Sequence, residues 1–164
     1  VASATGKTSE AAIRAFYGLP EEAILDMGDF VGGMLKYLRK NPIAFVSIAG
    51  GFAKLVKLAQ GHLDLHSSRS QVDFDRLAAT IAACGGDETL QDQCRTANTA
   101  KQVLELCQAA DVKIEDAIAR QACESARATL DGASAVEVVI TDRNGTIIAR
   151  HGIGEFDQFR PVAS

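Results

Sequence analysis

Between Val46 and Arg69 the chain gathers most of its local titratable chemistry. Gly50 and Gly51 separate a short apolar run from an amphipathic stretch bearing Lys54 and Lys57. A loop holding His62, Asp64, His66, Ser67 and Arg69 follows. A strand that passes through a glycine turn into a helix presents backbone N–H groups to a ligand, with the positive end of the helix behind them. Lys54 and Lys57 stand three residues apart, on one helix face where an anion would be met. The commoner use of such a pair is a solvated face. His66 is the candidate acid or base, with Ser67 and Arg69 close behind it. The alternative is a histidine that organises its loop by hydrogen bonds. His62, Asp64 and His66 alternate as metal ligands on an extended segment can. No fourth ligand stands at a recognised spacing, so no protein-bound metal is expected.

Two more turns carry chemistry. Thr5-Gly6-Lys7-Thr8 matches the close of a phosphate-binding loop, but the leading glycine of that pattern would fall at Val1. A glycine turn exposing helix N-terminal amides to a carboxylate is the better reading, beside a plain capped helix start. Met27-Gly28-Asp29-Phe30 sits where a strand meets its helix. Ligands of open α/β sheets bind beyond the carboxyl ends of the strands, where Asp29 or Asp26 would accept hydrogen bonds from ribose hydroxyls. Alternatively Asp29 only caps the helix. Gly32-Gly33 is costly inside a helix and points to close approach by another backbone or by a ligand. No Ser-His-Asp order stands out, and no cysteine sits at an obvious glycine turn, which argues against covalent catalysis.

These residues need elements to hold them. Helical spacing predicts helices from Thr8 or Ser9 to Tyr17, from Gly28 or Asp29 to Lys40, and from Phe52 to Gln60. Further helices are predicted over roughly 73–84, 87–95, 98–109 and 113–130, with Asp87 and Asn98 or Thr99 as caps. Short strands are expected over 23–27, 43–49 and 136–141, and the chain opens on what reads as the end of another. Asn144-Gly145 turns 136–141 back onto 146–150. The expected fold is α/β: a short, mainly parallel sheet flanked by helices, with a helical insertion and a C-terminal β-hairpin. Residues 1–151 read as one domain and 152–164 as a loose tail. If the strands are parallel, the turns at 28–29 and 50–51 open onto one edge and share a crevice.

Composition limits the function classes. The chain has 164 residues, is 47% hydrophobic and carries a formal charge of −4, which argues against a nucleic-acid binder. Cysteines at 84, 94, 107 and 123 match no paired zinc spacing and read as reduced, buried thiols. No signal peptide is visible and no apolar run has the length of a membrane span, so the chain is read as cytoplasmic, without a membrane partner. It is also read as a piece of a longer protein.

Three runs resemble the cobalt-precorrin-5B C(1)-methyltransferase family, CbiD: Asp26 to Gly32, Gly50 to Gly61, and His66-Ser67. Thr5-Gly6 with Thr8-Ser9-Glu10 is similar to the segment that precedes them. The likeness is strongest over residues 2 to 86. It implies the C-terminal half of an enzyme that transfers a methyl group from S-adenosylmethionine to ring carbon C(1) of a cobalt corrinoid. It also implies a missing N-terminal domain and leaves a homo-oligomer open. Under it, Thr5, Gly6, Gly28, Asp29, Gly50 and Gly51 line the S-adenosylmethionine site. Lys54, Lys57 and Arg69 meet substrate carboxylates, and His66 orients the ring or accepts a proton. Many members carry Asn at the position of Asp29, and His and Gly at those of Gly51 and Ala53. The missing His at 51 moves the choice of base to His66. Cobalt arrives inside the substrate. The rival readings are a non-catalytic tetrapyrrole- or partner-binding module, and a phosphate-binding enzyme using Gly6-Lys7-Thr8.

Overall fold

The structure, a computed structural model, describes residues 1–152. The chain runs β1 (Ala2–Ala4), α1 (Lys7–Tyr17), β2 (Ile24–Asp26), α2 (Val31–Lys40), β3 (Phe45–Gly51) and α3 (Phe52–Ala59). It continues α4 (Phe74–Ala83), α5 (Glu88–Arg95), α6 (Ala100–Ala109), α7 (Ile114–Leu130), β4 (Ala135–Thr141) and β5 (Ile147–His151). The five strands form one sheet in the order β2-β1-β3-β4-β5. β1 pairs in parallel with β2 and β3, β3 pairs in parallel with β4, and β5 returns antiparallel. The expected α/β architecture and its C-terminal hairpin are therefore present. The tail expected to be loose falls, past Gly152, outside the described residues.

Strand alternation divides the core. Val46, Ile48, Val136, Val138 and Ile140 point to one face, where helices α2 to α7 build the large apolar cluster. Ala2, Ala49 and Val139 point to the other, where α1 alone lays down Ile13 and Tyr17. The helical insertion is not a detached cap, because Ala119, Ala122 and Ala126 of α7 are fully buried in the large cluster. Cys94, Cys107 and Cys123 are buried and Cys84 is half-buried. Burial pushes the Cys94 and Cys107 thiols up to about 11, which keeps them protonated and unreactive at neutral pH. Among the described residues no helix is long and apolar enough to cross a membrane.

Several boundaries differ from expectation for identifiable reasons. β3 starts two residues later and runs through both glycines, because Gly50 and Gly51 pair with Ile140 and Thr141 of β4. α2 starts at Val31, since Gly28 takes φ +52° and the Phe30 amide closes a turn on the Met27 carbonyl. Asp29 therefore does not cap α2, whose N-cap position is Phe30. Gly32 meets the close approach its cost implies. Its amide donates to the Leu63 carbonyl at 2.8 Å, and a Cβ there would lie 2.5 Å from that of Leu63.

Candidate functional site

Parallel pairing sends the carboxyl ends of β1, β2, β3 and β4 to one edge of the sheet. The turns at Thr5-Gly6, Gly28-Asp29 and Gly51, and the β4–β5 turn at Asp142 to Thr146, all lie on that edge. Lys54, in the first turn of α3 just after Gly51, ties two of the other turns to its own. Its ammonium sits 3.0 Å from Asp29 Oδ1 and donates to the Thr5 carbonyl at 2.6 Å. Asp29 is thereby committed to Lys54, and its own carbonyl accepts the Leu65 amide at 2.9 Å.

Beside this clasp opens a pocket of about 640 Å³. Thr5, Gly6, Gly51 and Lys54 line it from the β1 and β3 ends. Phe52, Leu104 and Ile148 supply apolar surface, and Lys7, Lys101 and Arg143 supply positive charge. The volume falls within the range of small-molecule sites. The two helices that begin here, α1 and α3, have no side-chain cap, as is also true of α2 and α7. Asp73, Asp87 and Thr99 cap α4, α5 and α6. The first-turn amides of α1 and α3 are thus free for an anion at the positive helix ends. Neither backbone conformation calls for glycine, since Gly6 is fully extended and Gly51 has φ −71°. A Cβ built at either would meet no protein atom within 4 Å.

Other expected site residues fall elsewhere. Gly50 is small for packing, because a Cβ there would lie 2.9 Å from Thr5 Oγ1 and 3.2 Å from Leu55 Cγ. Gly28 shapes its turn, its amide donating to Asp26 Oδ1. Lys57 does not share the mouth with Lys54. It is buried, and its ammonium donates to the Leu65 carbonyl at 2.9 Å, pinning the loop that follows α3. His66 is exposed, and its Nδ1 accepts from the Ser68 amide at 3.2 Å and lies 2.7 Å from Ser68 Oγ. Its carbonyl takes the Arg69 and Ser70 amides. That is the loop-organising alternative, and His66 is not among the residues lining the pocket. Arg69 is exposed and pairs with Asp64 at 3.3 Å. Only Thr5 and Gly6 separate β1 from α1, too short a loop to wrap a phosphate chain as Gly6-Lys7-Thr8 would need.

Comparison with known proteins decides the family. The family described as "CbiD, C-terminal domain" matches residues 64–152. The chain belongs to the CbiD family. It is 57% identical over 150 residues to the cobalt-precorrin-5B C(1)-methyltransferase of Methylorubrum extorquens, covering 91% of this chain and 42% of that protein. It is 57% identical over 151 residues to the enzyme of that name from Brucella anthropi, covering 92% and 41%. The corresponding figures for Halorhodospira halophila are 50% over 153 residues, 93% and 41%. The chain therefore spans about two fifths of the length of these curated relatives. No solved structure matches it.

Lys101, Leu104 and Arg143 line the site without a local motif that marks them. A signal for Arg143 was available. A fourth parallel strand had to end on the same edge as the glycine turns, so its hairpin turn had to overhang them.

Proposed function

We propose that this chain provides the methyl-donor pocket of an enzyme that transfers a methyl group from S-adenosylmethionine to ring carbon C(1) of a cobalt-precorrin. One observation carries the reading. Gly6 and Gly51, at the ends of neighbouring strands, leave space that no protein atom fills, although neither backbone requires glycine. A cradle that a side chain would fill, between two uncapped helix N-termini, suits the carboxylate of an amino-acid-like ligand. Thr5, Gly6 and Gly51 line that cradle, and Lys54 supplies the counter-charge. Asp29 acts by holding Lys54. The methyl sulfonium is already an activated electrophile. The protein's task is to align it with the acceptor carbon and keep water out, which the apolar side at Phe52 and Leu104 assists. The reading also implies a cytoplasmic enzyme whose cobalt belongs to the substrate. The remainder of the relatives' length would complete the acceptor site.

The test is calorimetric titration of the full-length protein with S-adenosylhomocysteine. Asp29→Ala and Lys54→Ala are each expected to weaken binding about tenfold, the scale of one charge-assisted hydrogen bond. Because the pair acts as one unit, the double variant should bind no worse than the weaker single variant. Unaltered affinity in both single variants would remove the clasp from the donor site.

A further inference from the structure

The pocket has a cationic side that donor binding leaves unused. Arg143 lies in the β4–β5 turn and Lys7 in the first turn of α1, and both line the pocket. The packing of that turn against α1 is built into the fold. Gly145, at φ +83°, lets the turn pack on α1, where a Cβ would lie 3.7 Å from both Thr8 Cγ2 and the Thr8 carbonyl oxygen. Asp142 Oδ1 accepts the Asn144 and Thr146 amides, each at 2.8 Å, which fixes the shape of the turn. Of the other cations of the pocket, Lys101 pairs with Glu105 at 2.8 Å, and Lys54, paired with Asp29, serves the donor site. Among the described residues neither Lys7 nor Arg143 has an ion-pair or side-chain hydrogen-bond partner. Two unpaired cations lining a mostly apolar pocket, on a chain with net charge −4, call for an anion.

We propose, resting on the methyl-transfer reading, that Arg143 and Lys7 bind peripheral carboxylates of the acceptor ring and select an acceptor in which those groups are ionised. Guanidinium offers a planar pair of donors that matches a carboxylate, and Lys7 adds a point charge from the α1 side of the pocket. A neutral amide at the same place offers Arg143 one acceptor atom and no charge. Both cations are exposed, so their removal spares the fold, and their effect should fade with added salt.

The test uses the full-length protein and two corrinoids followed by visible absorption: dicyanocobyrinic acid, which bears free carboxylates, and dicyanocobinamide, whose side chains are amides. Arg143→Ala should weaken binding of the acid about tenfold. Lys7→Ala should weaken it less, and Arg143→Lys should fall between wild type and Arg143→Ala. Binding of the amide and of S-adenosylhomocysteine should not change. Undiminished acid binding in both alanine variants would overturn the proposal, as would an equal loss for both corrinoids. A parallel loss of S-adenosylhomocysteine would also overturn it, by moving the cations into the donor site. The two readings fail separately. If the wild type binds S-adenosylhomocysteine while Arg143→Ala keeps its acid affinity, only this inference falls. If the wild type binds no S-adenosylhomocysteine but shows charge-selective corrinoid binding that Arg143→Ala removes, only the donor assignment falls.

Discussion

Gly6→Leu is expected to lower methyl transfer by roughly a hundredfold or more while leaving the fold in place. The position follows β1 and opens α1, and it lines the pocket. Its extended backbone accepts any side chain, and a Cβ there touches nothing. Leucine is a poorer N-cap residue than glycine, which costs up to about 1 kcal/mol. The smaller conformational freedom of the unfolded chain returns a similar amount. The melting temperature should therefore move by only about 2–4 °C. The pocket cannot absorb the change in the same way. An isobutyl group would occupy the space beside the free amides of α1, and displacement of a reacting group by ~1 Å can cost ~10²-fold in rate. Gly6→Ala provides the graded control, since a single methyl group should reduce affinity for S-adenosylhomocysteine less than leucine does. The measurements are a thermal melt and a single-turnover assay of the full-length enzyme. Full activity in Gly6→Leu with an unchanged melt would show that the open space at Gly6 is not used by a ligand.

The contrast between Gly6 and Gly50 shows how far the sequence could be read. Both are glycines at strand ends, and pattern alone assigned both to ligand approach. Three-dimensional contacts separate them, because the space at Gly50 is taken by Thr5 and Leu55 and the space at Gly6 is open. Lys54 and Lys57 divide in the same way. Helical spacing put them on one face, yet the curl of the loop after α3 brings the Leu65 carbonyl over Lys57 and buries it. Local periodicity did reveal the elements and the mainly parallel character of the sheet, since continuous apolar runs with glycine exits suit strands covered on both faces. Periodicity says little about long-range partners. Asp29 read as a cap or a ribose ligand because Lys54, twenty-five residues further on, was not known to reach it at 3.0 Å. The least legible group of all lies on the α1 face of the sheet, where residues 17, 47, 137 and 150 meet.

At that meeting point Glu137, fully buried, should prove the most stability-critical polar residue of the sheet. It stands on β4 opposite Ser47 of β3. Its Oε2 accepts from Tyr17 Oη at 2.6 Å and from Ser47 Oγ at 2.7 Å. Its Oε1 accepts from Arg150 Nη2 at 2.6 Å and Nε at 3.0 Å. Arg150 in turn lies 4.4 Å from the centre of the Phe16 ring. One carboxylate thus joins α1, β3, β4 and β5. Glu137→Ala strands a largely buried guanidinium, and breaking such a pair costs about 3–5 kcal/mol. In a chain of this size that lowers the melting temperature by roughly 10 °C. Replacing both partners, as in Glu137→Leu with Arg150→Leu, should recover the part due to the stranded charge, while the Tyr17 and Ser47 hydroxyls stay unpaired. The network sits at the C-terminal end of α1, away from Gly6. Below the melt, affinity for S-adenosylhomocysteine should therefore hold in Glu137→Ala, which separates a scaffold role from a role in the pocket. Alkali provides a second check. Burial, then the hydrogen bond and charge of Glu137, raise the Tyr17 hydroxyl well above its ordinary value of 10.0. The unfolded chain would release that proton first, so the Tyr17 contribution is complete below pH 10 and declines as pH rises beyond it. Tyr17→Phe should flatten that part of the alkaline decline in a pH series of denaturant melts. An unchanged alkaline slope would mean that Tyr17 ionises as easily folded as unfolded, and that the carboxylate does not hold it as the distances require.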